Sequence, residues 1–227
     1  MTELLEAIEL ETGTHPTTSV IWLHGLGADG HDFEAIVPEL DLPAVPIRFV
    51  FPHAPMQPVT INAGMVMRAW YDVSDAAIRR EDEVGVRASQ ARLDALMTRE
   101  RERGTSANRL LLAGFSQGGA IALHTGLRHP ERLAGIMALS CYLPFADKLA
   151  AEAHVANREV PIFMAHGTED PVVAISRASE SRDLLERQGY TVEWHDYRIP
   201  HSVCSEEIRD ISGWLRRALA PARIPRQ

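Results

Sequence analysis

Between Arg109 and Leu127 the chain switches from one period to another within five residues. RLLLA (109–113) is a short, almost wholly apolar run of the kind that forms a strand buried on both faces. GGAIALHTGL (118–127) is apolar at helical spacing. The junction is Gly114-Phe115-Ser116-Gln117-Gly118, a G-x-S-x-G pattern. A strand that runs straight into a helix through such a pentapeptide makes a sharp elbow, with the serine at its tip above the sheet edge. The flanking glycines let the helix pack closely on the strand. The first N–H groups of the helix, and the positive end of its dipole, then face the serine hydroxyl. Ser116 is therefore the candidate nucleophile. A glycine-rich turn carrying a solvated serine is the alternative.

The rest of the chain repeats this alternation. Strands are expected at Thr18–Leu23, Ile47–Phe51, Arg109–Ala113, Leu133–Leu139, Val160–Ala165 and Thr191–Ile199. Helices are expected over 84–103, where Val86, Leu93, Leu96 and Met97 share a face ahead of Gly104, and over 175–188 ahead of Gly189. A last helix carries Ile208, Ile211, Leu215 and Leu219. Strand–helix alternation predicts an α/β fold with a mainly parallel sheet and helices on both faces. Functional loops then lie beyond the carboxyl ends of the strands. With 227 residues and no linker or repeat, residues 1–227 are expected to form a single domain, with 221–227 as a solvated, flexible tail.

Composition narrows the function. The net charge is −8, which argues against a protein built to neutralise nucleic-acid phosphates. Two cysteines, Cys141 and Cys204, do not make a disulfide scaffold, and two reduced thiols are expected. No zinc-binding spacing appears, so no metal and no cofactor is called for. The start, MTELLEAIELETG, lacks a basic region and an unbroken apolar stretch, and no window reaches membrane-spanning length. The expected setting is soluble and cytoplasmic, without integral membrane association.

A nucleophilic serine needs donors for the oxyanion formed on attack. One is the N–H of Gln117. The other is expected from His24-Gly25-Leu26-Gly27, the loop after the strand VIWL, with the Leu26 N–H as candidate. The loop does not fit a phosphate-binding pattern, and His24 is read as holding it in place. In folds built on this elbow the chain order is Ser, then acid, then His. Asp170, in Thr168-Glu169-Asp170-Pro171 after VPIFMAHG, is the preferred acid, with Glu169 as rival. His201, after the last strand, is the candidate base. His195 falls inside that strand. His166 precedes the acid and reads as a local hydrogen-bonding group, while His124 and His129 read as structural or solvated.

HGLGADGHDF (24–33), FPHAP (51–55), MRAWYD (67–72), GFSQGG (114–119), HGTEDPVV (166–173) and HSVCSEEI (201–208) span almost the whole chain in order. In these segments the chain resembles the small carboxylesterase/phospholipase family that includes acyl-protein thioesterases, and within it bacterial carboxylesterases most. The resemblance implies an α/β-hydrolase fold without a large cap domain, a triad at Ser116, Asp170 and His201, and oxyanion positions at Leu26 and Gln117. It implies a serine carboxylesterase acting on short- to medium-chain esters. An acyl-protein thioesterase or lysophospholipase using the same triad, and a non-catalytic binding module, are the alternatives. A homodimer is compatible with it. Pro200 stands where relatives usually carry a small residue.

TINAGMVMRAWYDV (60–73) is long, irregular and rich in Met and aromatic residues. Met65, Val66, Met67 and Trp70 are the candidate lining of an acyl groove, since methionines adapt to varied apolar shapes. Ordinary core under a long loop is the alternative. The stretch from Pro144 to Glu159 is too short for a cap domain.

Overall fold

The computed structural model describes residues 4–75 and 81–220, so the expected 221–227 tail lies outside the described residues. The strands are β1 (Ala7–Glu11), β2 (Thr18–Leu23), β3 (Ile47–Pro52), β4 (Met56–Val59), β5 (Met65–Arg68), β6 (Leu110–Phe115), β7 (Gly135–Leu139), β8 (Ile162–Gly167) and β9 (Val192–Tyr197). The helices are α1 (Glu83–Glu102), α2 (Gln117–Arg128), α3 (Leu149–Glu152), α4 (Ile175–Arg187) and α5 (Ser205–Ala218). Seven strands form one sheet in the order β1-β3-β2-β6-β7-β8-β9. Every neighbouring pair is parallel except β1 with β3. This is the expected mainly parallel α/β architecture, and among the described residues no large cap interrupts it.

Alternate residues of the same strands feed two separate cores. Ile21, Leu23, Leu110, Leu112, Ile136 and Met164 face the side covered by α1 and α2. Val20, Trp22, Leu111, Ala113, Met137 and Phe163 face the side covered by α5, through Ile211, Trp214 and Leu215. A sheet buried on both faces explains why its strands read as continuous apolar runs. The four residues predicted for the inner face of α1, Val86, Leu93, Leu96 and Met97, are all buried.

Three strands were not expected from the sequence. β1, AIELE, is an edge strand that turns Glu9 and Glu11 towards Arg103 and Arg48, so its pattern is half charged. β4 and β5 pair as a separate antiparallel hairpin within the stretch read as irregular. Its turn places Ala63 and Gly64 consecutively at positive φ (56° and 76°). Among the described residues no helix is long and apolar enough to cross a membrane.

Glu207 is buried near the start of α5, and one of its carboxyl oxygens has no partner among the described residues. Burial pushes it up to about 8, despite a hydrogen bond from the Cys204 backbone and with Asp210 adding to the rise. The folded protein thus holds a proton that the unfolded chain releases above its ordinary carboxylate range. The stability tied to that proton is complete at acid pH and is lost as pH rises through about 8. Glu207→Gln is expected to lie close to the parent near pH 5 and to gain on it by roughly 3 kcal/mol between pH 5 and pH 8. Urea denaturation at both pH values checks this, and an equal gain at both would show that the carboxyl is not the cause.

Candidate active site

The elbow forms as the sequence requires. β6 ends at Phe115, α2 begins at Gln117, and Ser116 between them sits at φ 54°, ψ −121°, a conformation that a side-chain-bearing residue keeps only when its surroundings impose it. Here the Ser116 N–H bonds the Leu139 carbonyl at 2.9 Å and its carbonyl accepts from Ala120 at 3.0 Å. Gly114 and Gly118 allow the turn. A Cβ at Gly114 would overlap the backbone of Gly118, and one at Gly118 would overlap the carbonyls of Leu23 and His24. The helix start is thereby pressed against the end of β2, where the candidate donor loop begins.

That loop is laced to the elbow. His24 Nδ1 lies 2.7 Å from the Gly25 carbonyl, and its Nε2 is 3.0 Å from the Ala54 N–H. Only the neutral ring protonated at Nδ1 satisfies both contacts. Burial pushes His24 down to about 4, in keeping with that state. The Trp70 indole N–H donates to the His24 carbonyl at 2.8 Å. The Gln117 side chain accepts from the Trp70 backbone N–H (3.0 Å) and donates to the Tyr71 carbonyl (2.8 Å). Among the described residues the backbone N–H groups of Leu26 and Gln117 have no protein acceptor. The sequence marked Gln117 only for its backbone; the two-way grip of its side chain on residues 70 and 71 was not foreseen.

Asp170 and His201 come together from the loops after β8 and β9. His201 Nδ1 is 2.6 Å from Asp170 Oδ2, and the Asp170 carboxylate is fully buried. Its other oxygen accepts the N–H groups of Val172 (2.8 Å) and Val173 (2.9 Å). The rival Glu169 faces solvent and pairs with Arg198. Pro200 does not part the pair, since its missing N–H is not one of these donors. The His201 ring rests on Phe115, the residue before Ser116, at 4.7 Å between centroids. Two of the other histidines are engaged elsewhere. His195 lies in β9 between Glu193 and Asp210, and His124 faces Gln90 at 3.0 Å.

Ser116 opens into a cavity of about 190 Å³ lined by Leu26, Ile61, Tyr71, Gln117, Tyr142 and Val173, with Val73, Pro171 and Val172 completing the wall. The expected groove residues do not form it. Trp70 is buried with its indole N–H spent on His24, so it braces the donor loop. Met65 and Val66 stand exposed on the β4–β5 hairpin. Met67 is half-buried with its sulfur beside Asn62. Their apolar character signalled a hairpin next to the site; the 60–73 stretch lines the cavity through Ile61, Tyr71 and Val73 instead, joined by Leu26, Ser116, Gln117, Tyr142 and residues 171–173. Both cysteines are unpaired, and no cluster of metal ligands occurs among the described residues.

The pattern of the phospholipase/carboxylesterase family matches residues 6–219, nearly the whole described chain. The chain belongs to that family. It is an α/β hydrolase, of the class that acts on ester or thioester bonds. Acyl-protein thioesterase 1 of Neurospora crassa is 41% identical over 218 residues, covering 89% of this chain and 87% of the relative. Acyl-protein thioesterase 1 of Yarrowia lipolytica is 38% identical, covering 92% and 95%. Among solved structures, Arabidopsis thaliana SOBER1 superimposes with a TM-score of 0.84 at 32% identity, covering 89% of this chain and 99% of that one.

Proposed function

We propose that this chain hydrolyses short- to medium-chain acyl esters through an acyl-serine intermediate, with Ser116 as nucleophile, His201 as base and Asp170 as the group that orients it. The observation that carries the reading is the strained Ser116 at the wall of an apolar cavity that Leu26 and Gln117 also line. With Nδ1–H committed to Asp170, the lone pair of His201 Nε2 takes the Ser116 proton as Oγ attacks the acyl carbon. The carbonyl oxygen becomes an oxyanion, met by the N–H groups of Leu26 and Gln117. The leaving group departs with the proton from His201. Water, deprotonated by the same imidazole, then releases the acid. The reading takes residues 1–227 as one domain, working in the cytoplasm without a metal or cofactor.

The cavity suits a short acyl chain: it is small, about 190 Å³, and its wall is largely aliphatic and aromatic. A second reading, thioester cleavage on acylated proteins, is favoured by the names of the two fungal relatives. Both readings use the same steps and differ in the leaving group. Rates on p-nitrophenyl esters from acetyl to decanoyl, set against S-acyl peptides carrying the same acyl groups, separate them. A specificity constant higher for the peptide at matched acyl length would establish the second.

Tyr142 lines both this cavity and a neighbouring depression bordered by Leu143, Phe145 and Arg177. Tyr142→Ala is expected to join them and to raise the decanoyl-to-butyryl rate ratio. Two further buried methylenes at about 0.8 kcal/mol each correspond to roughly tenfold. An unchanged ratio would remove the cavity from acyl recognition.

A further inference from the structure

The proposed triad accounts for His201 and Asp170 but leaves a second buried imidazole on the same carboxylate. His166, at the end of β8, has a fully buried side chain, and its Nε2 lies 3.4 Å from Asp170 Oδ2, the oxygen that His201 contacts. The same Nε2 is 2.8 Å from the Val173 carbonyl. A carbonyl only accepts, so Nε2 carries the proton and donates to it, with Asp170 Oδ2 as a longer second acceptor. Nδ1 is buried without any partner among the described residues. A proton there would bury an unpaired N–H, so the ring is held neutral in the Nε2–H tautomer. The ionisable groups facing it are Asp170 and His201, and burial lowers its affinity for a second proton.

The contacts close a ring. Val172 and Val173 donate to Asp170 Oδ1, Val173 returns its carbonyl to His166, and His166 reaches back to Asp170 Oδ2. A carboxylate held at one oxygen by two backbone N–H groups can still swing with its turn. Tying the Val173 carbonyl to a strand residue fixes that turn to the sheet. Because His166 stays neutral, the carboxylate's charge remains available to the imidazolium that forms on His201.

We propose that His166 is a positioning residue: by bridging the Val173 carbonyl and the Asp170 carboxylate it holds the acid in line with His201. This rests on the triad reading above. The test compares His166→Phe, which keeps ring volume without a donor, with His166→Gln, which returns an N–H at similar reach. The Phe variant is expected to lose about 10- to 100-fold in kcat with KM little changed. The acidic limb of its kcat/KM profile, which reports the free base, is expected to move to lower pH as the imidazolium loses its aligned partner. The Gln variant is expected to recover much of both. A Phe variant with parental kcat and parental limb would reduce His166 to core filling. Nitrogen-15 NMR of the unmodified protein supplies a readout that no folding defect can obscure. His166 is expected to be a neutral Nε2–H tautomer at neutral pH, and a protonated ring or an Nδ1–H tautomer there would overturn the proposal. If Ser116→Ala leaves turnover intact, the triad reading fails; the tautomer result then still decides the geometry around His166 on its own.

Discussion

Ser116→Ala is expected to lower kcat on p-nitrophenyl butyrate on the order of 10⁵- to 10⁶-fold and to abolish one-to-one labelling by a fluorophosphonate. The size follows from what remains. Without Oγ no acyl-serine forms, and His201 and Asp170 have no nucleophile to activate. The donors at Leu26 and Gln117 can then only assist attack by water. The fold should be almost untouched, because the Ser116 N–H and carbonyl make the backbone contacts and alanine keeps those atoms. It also keeps a Cβ at φ 54°, so the strain at the elbow persists. The thermal midpoint of this variant should therefore stay close to the parent, and activity and stability separate cleanly. Labelling that survives the substitution would place the nucleophile elsewhere and undo the whole mechanism.

How much of this could be read from the chain alone depends on how local each signal is. Five central strands, β2, β3, β6, β7 and β8, were legible because both faces of each are buried, which leaves a nearly unbroken apolar run; β9, at the sheet edge, was legible from its alternation. β1 was not, since an edge strand paired to arginines alternates glutamate with apolar residues. Glu100 on α1 is fully buried, a place that its charge argues against. Ser19 and Arg48 reach it from β2 and β3, and those partners lie 81 and 52 residues away in sequence. The candidate nucleophile and candidate donor loop were legible because each is confined to one turn with glycines set locally, by backbone contacts at Gly114 and Gly118 and by a positive φ at Gly27. Asp170 could be ranked above Glu169 by loop position alone. What separates them physically is that Asp170 turns inward onto two N–H groups while Glu169 turns out to Arg198. The cavity beside Ser116 was the least legible part. Its wall draws Ile61 and Tyr71 from the 60–73 stretch, and Tyr142 and Val173 from segments that meet it only in the folded chain. Trp70, the most conspicuous aromatic of its stretch, is drawn under the loop by its indole N–H.

Asp170→Asn is expected to cost about 10⁴-fold in kcat while leaving the protein folded and still able to label, slowly and one-to-one. The surroundings decide which way the new amide faces. The Val172 and Val173 N–H groups both point at Oδ1, so the amide oxygen must take that position. The NH₂ group then occupies the place of Oδ2, against His201 Nδ1. Two donors cannot face each other at 2.6 Å, so His201 gives up its Nδ1 proton and carries it on Nε2 instead. That tautomer presents an N–H to Ser116 where a lone pair is needed, and the serine proton has nowhere to go. The loss is thus one of proton acceptance, with little change in KM, since no cavity residue moves. Asp170→Ala separates orientation from tautomer: it removes the carboxylate without imposing a donor, so it is expected to retain more activity than the asparagine variant. The reverse ranking would mean that Asp170 acts mainly by holding its own loop in place, with the His201 proton set by something else.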